Sequence, residues 1–180
     1  MATTYSDLLP DWDNDVKAMG GTQQIGYFGS IPDFLTIAKP TAPFTAPEDE
    51  YVVKTPHIMK TGKKMLQLYT EQNRGEVMYE PIGSLDSTGF KATAKAFIPG
   101  ESKKLSYLAN KVRQSKFIVL MPDADGAINQ IGTQAFPATI KMAKKTSTNE
   151  NRALGYEVEI EAIMHQKLIY DAAVPVGVAV

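Results

Sequence analysis

The sequence predicts a mainly β, sandwich- or barrel-like domain with one flanking α-helix and extended arms. Three observations carry this. Tyr156, Val158, Ile160, Ala162 and Met164 alternate with Glu157, Glu159, Glu161, Ile163 and His165. That is the period of two of a strand with one face in a core. Phe90, Ala92, Ala94, Ala96 and Ile98 alternate in the same way with Lys91, Thr93, Lys95 and Phe97. Leu105, Leu108 and Val112, by contrast, fall on one helical face, with Lys103, Lys104, Lys111 and Arg113 elsewhere, and Ser102 stands where a helix cap belongs.

The remaining elements follow in chain order. Trp12, Val16 and Met19 recur at helical spacing before Gly20-Gly21, which predicts a short N-terminal helix over about 11–19 that covers part of the core. Residues 22–37 read as short extended pieces broken by Gly26, Gly29 and Pro32. Pro40, Pro43 and Pro47 then remove backbone donors, so 40–62 reads as a stiff, extended arm. KMLQLYT (64–70) and GEVMYEPIG (75–83) are separated by Glu71–Arg74, a hairpin-length connection. Phe117–Met121 is a continuous apolar run, expected to be a strand buried on both sides. Pro122–Gly126 is turn chemistry, and Ala127–Ile131 returns as its hairpin partner. Phe136–Met142 reads as a strand and 143–153 as a polar loop. The expected organisation is one domain over 1–180, with an N-terminal helix or arm at 1–20 and an apolar tail at 172–180.

Composition narrows the function classes. The 180 residues carry 19 basic and 20 acidic side chains, a formal charge of −1, which gives no general reason to bind nucleic acid or an anionic membrane. No cysteine occurs, so disulfides, thiolate catalysis and cysteine-held metals are excluded. The opening residues lack the basic and apolar regions of a signal peptide, and no apolar run approaches a membrane span. The expected place of synthesis is a reducing cytosol.

Catalytic signatures are also missing. Leu85 stands where a GxSxG motif around Ser87 needs its first glycine. Gly21 and Gly26 have P-loop spacing, but Tyr27 and Phe28 replace the lysine and hydroxyl residue that reach phosphate and magnesium. Asp11, Asp13 and Asp15 resemble the start of an EF-hand loop, yet Val16 and Thr22 occupy the positions that need glycine and glutamate. The two histidines, His57 and His165, are expected at the surface or an interface. No cofactor is expected.

Assembly is the reading these features favour. Val174, Val176, Val178 and Val180 alternate with Pro175, Gly177 and Ala179, with no charge after Asp171. A tail of this kind is prone to pair and is expected to dock, on its own sheet or on a neighbour. Glu157, Glu159 and Glu161 share one strand face, about 7 Å apart. They read as paired general acids of the glycosidase kind, as a solvated face, as partners of Lys91 and Lys95 on another strand, or as a further possibility given by resemblance.

The order of elements carries that resemblance: the helix GESKKLSYLANKVRQS, the buried strand and tight hairpin KFIVLMPDADGAINQIG, then FPATIKM, a polar loop and the strong strand GYEVEIEAIM. This resembles structural proteins of tailed bacteriophages, most of all tail tube proteins, and GTQQIGYFGSIPDFLTI is similar in texture to structural genes of phages of Bacteroidetes. The resemblance implies a virion protein, made in the host cytoplasm, that forms stacked hexameric rings around a β-barrel-like, often acidic lumen. DNA would be passing cargo, and other tail or connector proteins would be partners. It implies Glu157, Glu159 and Glu161 as lumen residues. Pro43, Phe44, Pro47, Lys144, Lys145, Val174, Val176 and Val178 become candidate contacts between subunits. Two alternatives stay open: another connector or terminator protein, and a sandwich module binding carbohydrate or peptide through Trp12, Tyr27, Tyr51, Tyr69, Tyr79 and Tyr107.

Overall fold

The computed structural model describes residues 20–84, 87–146 and 154–177. In chain order its strands are β1 (Ile25–Ser30), β2 (Phe34–Thr36), β3 (Val52–Val53), β4 (Ile58–Met59), β5 (Leu66–Tyr69), β6 (Glu76–Ser84) and β7 (Ser87–Pro99). The helix α1 (Lys103–Val112) follows, then β8 (Phe117–Pro122), β9 (Ile128–Ile131), β10 (Thr139–Lys145), β11 (Gly155–Met164) and β12 (Leu168–Tyr170). The chain is mainly β with a single α-helix among the described residues, as its alternation predicts. The expected helix at 11–19 lies outside the described residues.

Two main sheets stack. One has six strands in the order β3-β12-β9-β8-β1-β5, the other four in the order β10-β11-β7-β6. Between them lies a core built from alternate residues of facing strands: Ala92, Ala94 and Ala96 of β7, Val158, Ile160, Ala162 and Met164 of β11, and Phe28, Phe117, Val119, Met121 and Ile131 of the six-stranded sheet. The alanines on β7 let the sheets approach closely, and each fully buried Val or Ile opposite them contributes about 1.5–3 kcal/mol by leaving water.

The six-stranded sheet is buried on its other face too. Ile118 and Leu120 of β8 point away from the first core into a second one, with Phe34, Ala38, Val53, Met59, Met65 and Tyr170. This is why Phe117–Met121 has no polar member: every residue of β8 is buried, on alternating sides. The β8–β9 turn closes with Asp123 N–H donating to the Ala127 carbonyl (2.7 Å) and Gly126 N–H to the Asp123 carbonyl (3.0 Å). Gly126 sits at φ +95°, where a side chain would be strained.

The cover of this second core is the Pro-rich segment. It does not leave the body as an arm. Pro47–Tyr51 forms a 3-10 turn, Val53 pairs in parallel with Tyr170, and β4 pairs with β2. Three prolines forbid a central strand but allow short strands and turns between them, and buried Val53 and Met59 anchor the segment. The C-terminal segment adds to the cover: Met65 N–H donates to the Pro175 carbonyl at 3.0 Å, and Ala172 and Val174 pack on the cluster.

Other expectations change as well. Residues 64–70 and 75–83 do not form a hairpin. Strand β5 pairs with β1 in one sheet and β6 with β7 in the other. The connection instead turns a corner between layers, with Thr70 N–H donating to Gln24 and Glu71 N–H to Phe97. Gly75 is required there because a Cβ would fall 1.8 Å from the Thr22 hydroxyl. The strand expected at 136–142 starts later and runs longer. Pro137 and a turn between Thr133 and Phe136 delay it to Thr139, and pairing with β11 carries it through Ala143–Lys145, which were expected to be loop. Helix α1 is as predicted: Leu105 N–H donates to the Ser102 hydroxyl at 3.2 Å, and Leu108 and Val112 join the first core behind β10.

A candidate assembly face on the four-stranded sheet

The face of the four-stranded sheet opposite the core carries an ordered set of charges. Register explains its pattern. On β11, Glu157, Glu159 and Glu161 point outward because Tyr156, Val158, Ile160 and Ala162 point inward. Lys141 lies opposite Glu159, which lies opposite Lys95, which lies opposite Glu76. Lys91 stands opposite Glu80. The strands therefore present alternating columns: lysine on β10, glutamate on β11, lysine on β7, glutamate on β6.

Ion pairs link the columns. Glu161 accepts from Lys141 and also faces Lys91 at 3.3 Å. Glu157 accepts from Lys145, and Glu76 from Lys95 at 3.3 Å. The hydrogen bond from Lys141 holds the Glu161 carboxyl below the ordinary range, against its partial burial and with help from Lys91. The same bond raises the Lys141 ammonium. Of the pairing read from the sequence, Lys91 reaches Glu161, whereas Lys95 bonds Glu76 on β6, and the remaining bonds to β11 come from Lys141 and Lys145 on β10. Five glutamates face four lysines on this surface, so it is mixed in charge and not the acidic wall that the resemblance implies.

An open groove of about 1060 Å³ runs across this face, with Arg74, Phe97, Lys141, Lys145, Glu157 and Glu159 on its walls. Phe97 is apolar on a polar face, yet it is buried. The Arg74 guanidinium lies 4.3 Å from its ring centroid, a cation–π contact that covers the ring. The Arg74 contact and the matching alternation on β6 were missed in sequence. Phe97 among Lys91, Thr93 and Lys95 was the available signal for the first, and Glu76, Met78, Glu80 against Val77 and Tyr79 for the second.

The other candidate residues lie apart from this face. Pro43 and Phe44 line a small cleft with Lys39, Asp49 and Lys54, and Phe44 is exposed. Pro47 opens the 3-10 turn, which Asp49 ties down by accepting from the Thr45 and Ala46 N–H groups (both 3.2 Å) and from Lys54 (2.7 Å). Lys144 points to the opposite side from Lys145 and donates to Glu101 at 2.6 Å. Val174 is packed on the second core, Val176 is exposed, and Val178 lies outside the described residues.

His57 corrects the surface expectation. It is buried in the second core: Nδ1 accepts from the Ala38 N–H at 3.0 Å, and the ring lies 4.7 Å from that of Tyr170. Burial pushes its pKa down to about 4, opposed by Gln130. His165 is exposed and meets the edge of Phe136. Among the described residues, no group of three or more His, Asp or Glu side chains could hold a metal ion, and none of the helices is long and apolar enough to cross a membrane.

In comparisons with known proteins, no family model matches this chain, and neither the curated proteins nor the solved structures yield a match.

Proposed function

We propose that this chain is a structural subunit that joins copies of itself into closed rings, stacked as the tube of a phage-like tail. One observation carries the reading. Both edge strands of the four-stranded sheet, β6 and β10, have no strand partner on their outer sides among the described residues, and they run in opposite directions. A long free edge is a template for pairing. In a ring every copy has the same orientation about the axis, so β6 of one copy meets β10 of the next antiparallel, and the sheet continues without a break in its alternation.

The two faces then sort themselves. The six-stranded layer covers one face of this sheet, so the bulkier side lies outside and the charged face lines the channel. At about 4.8 Å per strand, six four-stranded sheets make a backbone circle at least roughly 37 Å across before strand tilt widens it. Lysines held by glutamates across the strands offer phosphates little that is free to bind, which suits DNA as passing cargo. The sandwich-module alternative draws less support, since Tyr51, Tyr69 and Tyr107 are exposed on three separate elements.

The test is negative-stain electron microscopy across a concentration series, paired with mass by light scattering. Hollow rings or tubes of uniform diameter are the expected result. A protein that stays strictly monomeric at high concentration would overturn the ring reading and favour a binding module.

A further inference from the structure

We propose that neighbouring copies join by pairing β6 of one with β10 of the next in a single register: Glu76 opposite Lys145, Met78 opposite Ala143, Glu80 opposite Lys141 and Ile82 opposite Thr139. The proposal rests on the ring reading and specifies its joint.

Charge spacing selects the register. On the outward face of β6 the glutamates are four residues apart, at 76 and 80; on that of β10 the lysines are four apart, at 141 and 145. Run antiparallel, the two strands satisfy both pairs at once in this register only. A slip of two residues places a glutamate against Ala143 and leaves the other without a lysine opposite. A slip of one turns every side chain to the wrong face. The joint also extends the pattern already present within one copy, because the glutamate column of β6 meets a lysine column, as every other neighbouring pair of columns does. Two-fold dimers are disfavoured by the same charges: β6 against β6 sets glutamates together, and β10 against β10 sets lysines together.

Closure geometry agrees independently. Crossing one copy perpendicular to its strands, the row runs Lys141, Glu159, Lys95, Glu76. The proposed joint continues it to Lys145 of the next copy. The row has advanced four residues over four strands. With a rise of about 3.3 Å per residue and about 4.8 Å between strands, that advance tilts the strands by about 35°, within the range in which sheets close into barrels. A slip of four residues toward Glu76 opposite Lys141 would remove the tilt altogether. The hand is also right. The Phe97 carbonyl accepts from Glu71, on the β6 side of β7. Seen from the charged face, L-residue chirality then puts β6 to the right of an upward β7. The four-residue advance gives the tilt that right-twisted strands need.

The chain has no cysteine, which makes the joint directly testable. Met78 and Ala143 are both exposed and lie on opposite edges of the sheet within one copy, too far apart to bridge internally. The double variant Met78→Cys, Ala143→Cys, oxidised after assembly, should therefore give a ladder of covalent multimers ending at the closed ring on a non-reducing denaturing gel. Each single-cysteine variant should stop at dimers or below. The offset pair Met78→Cys, Lys141→Cys should link far less. Rings in the microscope without this ladder, or with linking favoured in the offset pair, would overturn the register while leaving the ring reading intact. No rings and no multimers in the wild-type protein would remove both. A second test does not depend on cysteine chemistry. Glu76→Lys, Glu80→Lys and Lys141→Glu, Lys145→Glu should each fail to assemble alone and should assemble when mixed. Assembly of either one alone would overturn the joint.

Discussion

The two sheets of this protein use the same strand geometry for opposite ends. The six-stranded sheet is buried on both faces at its centre: strand β8 has no exposed residue, and the second face there is roofed by the Pro-rich segment and the C-terminal residues. The four-stranded sheet buries one face only, leaves the other charged, and ends in two edges without a strand partner among the described residues. The first sheet holds buried residues of both cores, and on the proposed reading the second is the one that joins other copies. A long free edge is a hazard to a monomer. Here its charges are ordered in columns, which restricts what can pair with it.

The comparison breaks first, and by the largest margin, in the second core. Leu120 is fully buried between β8 and the roofing segment. Leu120→Ala should lower unfolding free energy by about 2–5 kcal/mol, measured by denaturant titration, whereas Met78→Ala on the four-stranded sheet should stay within about 0.5 kcal/mol. Equal effects at the two sites would mean that the roof is a loosely held cover and that the six-stranded sheet is not the stable half.

Next in size is a pH effect confined to that half. His57 is neutral in its pocket, with a folded pKa of about 4 against an ordinary value of 6.5. Between these values the unfolded chain holds a proton that the folded chain does not. The stability due to the neutral ring is therefore fully present above about pH 6.5 and is lost as pH falls toward 4, up to about 3 kcal/mol in all. Unfolding free energy measured from pH 7 to 4 should show this slope, and His57→Gln should flatten it. A slope unchanged in His57→Gln would place the titrating group elsewhere.

His57 also illustrates where the sequence stops being legible. Lying between Pro56 and Ile58, it reads as a loop histidine at the surface, because nothing local announces that a segment rich in proline folds back as a lid. The strands that carry their own evidence were readable: β11 and β7 by alternation, β8 by its unbroken apolar run, α1 by its cap and its stripe. Strands β2, β3, β4 and β12 have two or three residues each and exist only because a partner is nearby, so no period can be seen in them. The 64–83 hairpin failed for a related reason. Loop length is compatible with a hairpin, but it is the match of β6 to the thirteen-residue β7 that decides pairing. On the charged face, Glu157, Glu159 and Glu161 were legible as a column. The columns beside them depend on register between distant strands, which the sequence does not display.

The smallest effect sharpens the contrast most. Glu161 is the best-connected carboxylate on the charged face, reached by Lys91 and Lys141, yet it is a surface ion pair. A double-mutant cycle of Glu161→Gln with Lys141→Met should give a coupling of about 0.2–1 kcal/mol, shrinking as salt is raised. Glu161 lies on β11, an inner strand of the sheet, so Glu161→Gln should leave assembly intact, where reversing Glu76 and Glu80 on the edge strand should abolish it. A coupling well above 2 kcal/mol that ignores salt would make the column a structural brace like the buried faces of the other sheet. Weak coupling on the inner strand with loss of assembly at the edge would instead mean that these charges select a neighbour and contribute little to the fold, which is the division of labour that the two sheets imply.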